Sequence, residues 1–205
     1  MTSTVSLWGL DPLFHTYRKV FVRALKSRTL RVVDIDNHFE FFYCNRPCQL
    51  VEICGIITAR KKGKNFVVDK GTTRETQLEL IIFVIDDGSA SIQCSVMCNP
   101  RKVNYTQINK ISIGDLVFVK GSLRMQHPAF GNQLVPFNEL HTTPREVTVN
   151  IKSIETCDDP NLEMHHWLMS MQLHDDVYSK QFVYKIPADQ AGLASLLHSG
   201  LCPCR

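Results

Sequence analysis

Phe118, Lys120 and Arg124 fall within eleven residues, GDLVFVKGSLR, running from Gly114 to Arg124. Side chains of an extended chain alternate between faces. Val117, Val119, Gly121 and Leu123 therefore share one face, suited to a core, while Leu116, Phe118, Lys120 and Arg124 share the other. An aromatic ring beside two cations is costly to show to water and suits one class of ligand. Single-stranded nucleic acid is held by cations that track phosphates and by rings on which bases stack. Each stacked base contributes about 1–3 kcal/mol, and each phosphate contact adds a salt-sensitive term. The bland alternative packs Phe118 under a neighbouring element and leaves the cations merely solvated. Arg60, Lys61, Lys62 and Lys64 extend the set at the end of VEICGIITARKKGK, and Lys152 does so in EVTVNIKSI. QHPAFGNQLVPFNELHTTPR adds His127, Phe130, Phe137 and Arg145.

Other chemistries lack their residues. There is no phosphate-cradling GxxxxGK[S/T], no GxSxG, no HExxH and no dinucleotide fingerprint. Asp86-Asp87 stand before a glycine, where aspartates serve a turn. His165 and His166 are adjacent in a helical stretch and point apart, so they form no chelating pair. The reading is of a protein that is not an enzyme and carries no cofactor. Of the 8 cysteines, the closest groupings are Cys44-x3-Cys48, Cys94-x3-Cys98 and Cys202-x-Cys204, none with the C-x2-C spacing of a zinc site. No metal is expected. MTSTVSLWGL has no secretory pattern, which makes the cysteines reduced thiols of cytosol or nucleus.

Composition is that of a globular protein, 44% hydrophobic and 21% charged over 205 residues, enough for one domain with extensions. No apolar run approaches the ~20 residues of a membrane span. The net charge of +3 is uneven. Residues 1–31 carry +5 (six Lys/Arg against Asp11) and residues 32–100 carry −2 (seven against nine). Residues 101–152 carry +4 (seven against three) and residues 153–205 carry −4 (three against seven). That asymmetry predicts a basic surface and an acidic end.

The elements that position these residues follow from periodicity. Asp11 as N-cap, Pro12 in the first turn, and Phe14, Tyr17, Phe21 and Leu25 on one stripe predict an amphipathic helix with its basic side outward. A polar junction follows, from Asp34 to Pro47. Val51, Ile53, Gly55 and Ile57 then share a strand face that ends in a basic loop. LELIIFVIDDGSASIQCSVM predicts a hairpin with Leu80, Ile82 and Val84 inward, a turn at Asp86-Asp87-Gly88, and Ile92, Cys94 and Val96 returning. A weakly helical stretch from Val103 to Ile111, the strand already described, and Val147, Val149 and Ile151 complete the set. The fold class is mainly β, a single five-stranded OB-fold Greek-key barrel with an N-terminal and a C-terminal helix. Other β-barrels share this pattern.

The C-terminal helix starts with Asp159 and Pro160. Leu162, His166, Met169 and Leu173 form its stripe, widened by Trp167, Leu168 and Met171. A helix apolar over so much of its circumference buries two sides; the second side meets either this chain or a partner. Ala188 to His198 could form a short helix, and the residues beyond read as a tail. The domains are 1–31 (helical extension), 32–178 (OB-fold with its C-terminal helix) and 179–205 (tail, no winged-helix domain).

Together these stretches resemble a known family, the STN subunits of the CST complex, a telomere-capping and replication assembly; those subunits are similar to the middle subunit of replication protein A. The resemblance is carried by SLWGLDPLF with its Trp8-Gly9-Leu10-Asp11-Pro12 core, then by VEICGIITARKK, IDDGSASIQC, IGDLVFVKGSLR and DDPNLEMHHWL. It implies a nuclear, telomeric protein whose C-terminal helix packs on a small TEN-type OB-fold subunit in a heterodimer. With a large CTC-type subunit the family binds single-stranded telomeric DNA, limits telomerase and supports fill-in by DNA polymerase alpha–primase. Leu162, His166, Trp167, Met169 and Leu173 become the implied partner face. Arg60, Lys62, Lys64, Phe118, Lys120, Arg124, Phe130 and Lys152 become the nucleic-acid candidates. Two departures stand out: the chain stops at Arg205, as in shorter or truncated members, and Met97 stands where relatives usually carry Trp. Alternative readings are a general replication-protein-A-like subunit, against which LWGLDP argues, and a pure protein-interaction OB-fold, in which Phe118 would be buried.

Overall fold

Ile81, Phe83, Ile85, Ile92, Cys94, Val117, Val119 and Val149 are at most 1% exposed. They sit at alternate positions of their strands, so one face of each strand lines a common interior. The computed structural model describes residues 11–35, 38–68, 75–101, 103–126 and 146–180. Its elements are β1 (Arg18–Lys19), α1 (Val22–Leu25), β2 (Leu30–Ile35), β3 (His38–Tyr43), β4 (Arg46–Pro47), β5 (Leu50–Val68), β6 (Glu75–Asp86), β7 (Ser91–Cys98), α2 (Val103–Lys110), β8 (Leu116–Gln126), β9 (Glu146–Thr156) and α3 (Asn161–Leu173), which ends in a π-helical turn over His174–Tyr178.

Strand β5 pairs antiparallel with β6, β6 with β7, and β8 with β9. Strand β7 pairs parallel with β9, and β8 returns to pair with β5. The circuit β5-β6-β7-β9-β8-β5 is a closed barrel, and α2 lies between its third and fourth strands in the chain, the OB-fold order. Closure needs close backbone approach at two glycines. A Cβ on Gly55 would overlap the Asp86 carbonyl, and one on Gly121 would overlap Val149 and the Asn150 carbonyl. Gly121 stands at the register shift between β8 and β9, a bulge that bends the barrel wall.

Four details differ from expectation. In β6 the inward residues are Ile81, Phe83 and Ile85 rather than Leu80, Ile82 and Val84. Both sets are apolar, so alternation alone could not choose between them. Arg60 to Lys64 are not loop: β5 runs on to Val68, still paired with β6. The stretch taken as a polar junction holds the hairpin β2–β3, with β4 beside it as a second, three-stranded sheet. Finally, the N-terminal amphipathic helix does not form. Residues 11–16 make turns, Arg18 pairs in parallel with Val51, and α1 is four residues long. Val20, Val22 and Leu25 are buried in the same cluster as the barrel interior, so core packing overrides the helical periodicity.

Candidate partner and nucleic-acid interface

Helix α3 begins where Asp159 Oδ1 accepts the Asn161 N–H at 2.9 Å, a capping contact one residue from the expected start. The helix lies over the outer face of β5 and against β1. His166 and Ser170 are its buried residues, and the Ser170 hydroxyl donates to the His166 carbonyl at 2.8 Å. The His166 ring meets Phe118 edge-on, 5.9 Å between centroids. Phe118 is therefore half-buried against α3, with part of its ring taken up by the edge contact to His166. His166 faces inward and is not on a partner face. Leu173 packs against the core cluster, Met169 is half-buried, and an indole carbon of Trp167 lies against Gly88 in the β6–β7 turn. Of the five expected partner residues only Leu162 is exposed.

The helix also carries an outward stripe. Met164, Leu168 and Met171 are 60%, 62% and 48% exposed at i, i+4 and i+7, one continuous helical face. Leu168 and Met171 are among the residues that widen the apolar circumference in the sequence, and Met164 joins them on this face.

Burial holds the His166 imidazole down to about 4, with Lys19 adding to the effect. A base whose pKa falls on folding costs stability as the pH drops below its unfolded value. The docking of α3 is thus fully stable above pH 6.5 and weakens as the pH falls from there to about 4, by on the order of 3 kcal/mol in all. Urea unfolding across that window checks this. The loss with pH should shrink in His166→Gln, and equal slopes in both proteins would refute it.

The cations separate into two groups. Arg60 donates to the Ile111 carbonyl at 2.8 Å and to the Asn109 carbonyl and side chain at 3.2 and 2.9 Å. Lys62 donates to the same Asn109 side chain and lies over Tyr105. These two hold the C-terminal end of α2, where carbonyls lack helical partners. Lys120, Arg124 and Lys152 are exposed on the outer face of β8 and β9. Lys120 lies 3.6 Å from Glu52, which also pairs with Lys19. The Lys64 side chain, Phe130, His127, Phe137 and Arg145 lie outside the described residues, as do residues 1–10 and the tail from 181.

The outer faces of β6 and β7 carry Leu80, Val84, Gln93 and Met97, the last 57% exposed. This is the face on which OB-folds take strands. Beside the C-terminal half of α3 a groove of about 650 Å³ is lined by Val20, Phe21, Ala24, Tyr43 and Met171, with Arg23 and Ser89 at its rim. Among the described residues no group of three or more His, Cys, Asp or Glu side chains could hold a metal.

Residues 34–180 match the family described as "Telomere regulation protein Stn1". "CST complex subunit STN1" of Mus musculus is 26% identical over 221 residues, covering 93% of this chain and 52% of its own. Its counterpart in Ailuropoda melanoleuca is 23% identical over 205 residues, covering 86% and 46%. The chain thus spans about half the length of the curated relatives it matches. Two solved structures share the fold. One is the S. pombe Stn1-ten1 complex (TM-score 0.52, 18% identity, covering 80% of this chain and 94% of that one). The other is a replication protein A heterotrimer bound to ssDNA (TM-score 0.51, 15% identity, covering 80% and 98%).

Proposed function

Since the chain belongs to the Stn1 family of telomere regulation proteins, we propose that it serves as a non-enzymatic scaffold subunit of a CST-type complex at nuclear telomeres. The observation that carries this is the exposed stripe of Met164, Leu168 and Met171. Three large apolar side chains in register on one helix are a docking face. The partner in this reading is a small TEN-type OB-fold subunit, in keeping with the Stn1-ten1 complex of the S. pombe relative. A large CTC-type subunit completes the assembly, which binds single-stranded telomeric DNA, limits telomerase and supports polymerase alpha–primase. Lys120, Arg124 and Lys152 supply phosphate contacts; affinity comes mainly from linked modules, because tethering multiplies weak contacts.

A second reading is a protein-bridging OB-fold without nucleic-acid contact, and the partial cover of Phe118 by α3 favours it. Fluorescence anisotropy separates the two. A labelled G-rich single strand is titrated at several salt concentrations with the chain alone, with its small partner, and with Lys120→Glu/Arg124→Glu in the complex. We expect binding mainly in the complex, weakening with salt, and a loss of about tenfold or more in the double variant. Equal binding without these cations would make the chain a bridge between proteins.

A further inference from the structure

A basic stretch near the N-terminal end of the described residues is not absorbed by that reading. Arg23, Lys26, Arg28 and Arg31 lie within nine residues and all four are exposed. None is ion-paired with a described carboxylate. Arg31 is braced with its guanidinium 5.2 Å from the centroid of the Phe42 ring, a stacking that orients the planar group and leaves its edge donors free. Arg23 is fixed by its backbone, whose N–H donates to the Ser89 hydroxyl at 3.1 Å. Next to it the Val22 N–H donates to Asp87 at 2.7 Å. Two aspartates stand beside the segment, Asp87 and, in the groove beside α3, Asp175, and neither pairs with these side chains. Asp87 is 3% exposed and already accepts from Val22, Ser89 and Ala90.

Position then narrows the ligand. Ser89 belongs to the turn joining β6 and β7, so Arg23 stands at the turn end of the hairpin whose outer face carries Gln93 and, farther along, Leu80 and Met97. A strand lying on that face and continuing past the turn meets Arg23 next. Ser27 and Thr29 share its rim, and hydroxyls are regular phosphate donors. We propose that Arg23, Lys26, Arg28 and Arg31 form a phosphodiester track, distinct from Lys120 and Arg124, that carries single-stranded nucleic acid beyond the β6–β7 turn. Three arginines suit phosphate because the guanidinium fork presents paired donors.

The test uses the full chain in complex with its small OB partner and labelled oligothymidine or oligouridine, the two arms separating DNA from RNA. In Arg23→Gln/Lys26→Gln/Arg28→Gln the plot of log affinity against log salt should flatten by about 2, three contacts at roughly 0.7 each, with about a tenfold loss at low salt. These side chains are exposed, so the melting temperature should hold, which separates lost contacts from lost fold. An unchanged slope overturns the proposal, as does failure of the unmodified complex to bind either oligonucleotide. If polyglutamate binds the complex and the triple variant loses that binding while oligonucleotide slopes stay equal, the track serves an acidic protein and the proposal falls. A loss in Lys120→Glu/Arg124→Glu with none in the triple variant leaves the functional reading standing and removes only the track.

Discussion

Asp11→Ala lowers the free energy of unfolding by about 3–5 kcal/mol, the range for breaking a buried ion pair from one side. Arg46 grips this carboxylate with two bonds, Nε to Oδ2 at 2.9 Å and Nη2 to Oδ1 at 2.6 Å, and both side chains are almost closed to water. Arg46 also donates to the Val177 carbonyl at 3.1 Å. The same carboxylate accepts the Leu13 N–H at 2.9 Å. Removing it strands a guanidinium in a site largely shielded from water. Burial, the largest single influence, pushes the Asp11 carboxyl up, but the hydrogen bonds from Arg46 and the Leu13 N–H, together with the charges of Arg46 and Arg18, outweigh it and hold the group below the usual carboxylate range. Its stabilisation is therefore present above the unfolded value of about 3.9 and is lost as the pH falls through the lower folded value. Urea denaturation measures the effect. Asp11→Ala/Arg46→Met should recover much of the loss, because the uncompensated charge goes with it. A loss below about 1 kcal/mol in the single variant would mean that the pair contributes like a surface bridge.

The second large effect is on association. Leu168→Asp weakens capture of the small OB subunit by at least about 100-fold, roughly 3 kcal/mol, as expected for a charge placed in the centre of an apolar contact. Leu168 is 62% exposed, so the variant alone should melt where the parent does. His166→Asp is the informative contrast. It puts the charge under α3 against Phe118, so it should lower the melting temperature of the isolated chain. Isothermal titration with the purified partner, together with melting of each variant, distinguishes the two faces of one helix. Undiminished capture by Leu168→Asp would move the interface off α3.

The two variants also show how far the sequence could be read. The barrel was legible because each of its strands buries one face, and period-two patterns such as Val117, Val119 and Leu123 survive in any barrel. The β6–β7 turn was legible from Asp86-Asp87-Gly88, where Gly88 takes φ of 79°. Asp11 was read as a helix cap from local spacing, and its real partner lies 35 residues away; no local pattern reports a salt bridge over that distance. The stripe of Phe14, Tyr17, Phe21 and Leu25 has helical spacing, but Tyr17 ends up 38% exposed and Arg18 fully buried. Arg18 is held by the Tyr43 carbonyl, at 3.3 Å, and by the Pro47 carbonyl. Arg60 illustrates a third limit. A run of cations reads as a solvated or ligand-facing loop, and only the fold reveals that α2 ends beside it. Phe118 was correctly placed on the outer face, and what the sequence could not supply was the helix that covers it.

The Lys19 N–H donates to the Tyr178 hydroxyl at 3.1 Å across 159 residues of sequence, and Arg46 reaches the neighbouring Val177 carbonyl. The last described turn is thereby a partner of the first strand. Contacts so far apart in the chain must await loop closure, which slows folding. During synthesis, which proceeds from the N-terminus, Arg18, Lys19 and Arg46 emerge long before Val177 and Tyr178. Until that turn clears the ribosome the barrel lacks this clasp, whereas the pairings of Arg18 with the Tyr43 and Pro47 carbonyls and of Arg46 with Asp11 need only residues already made.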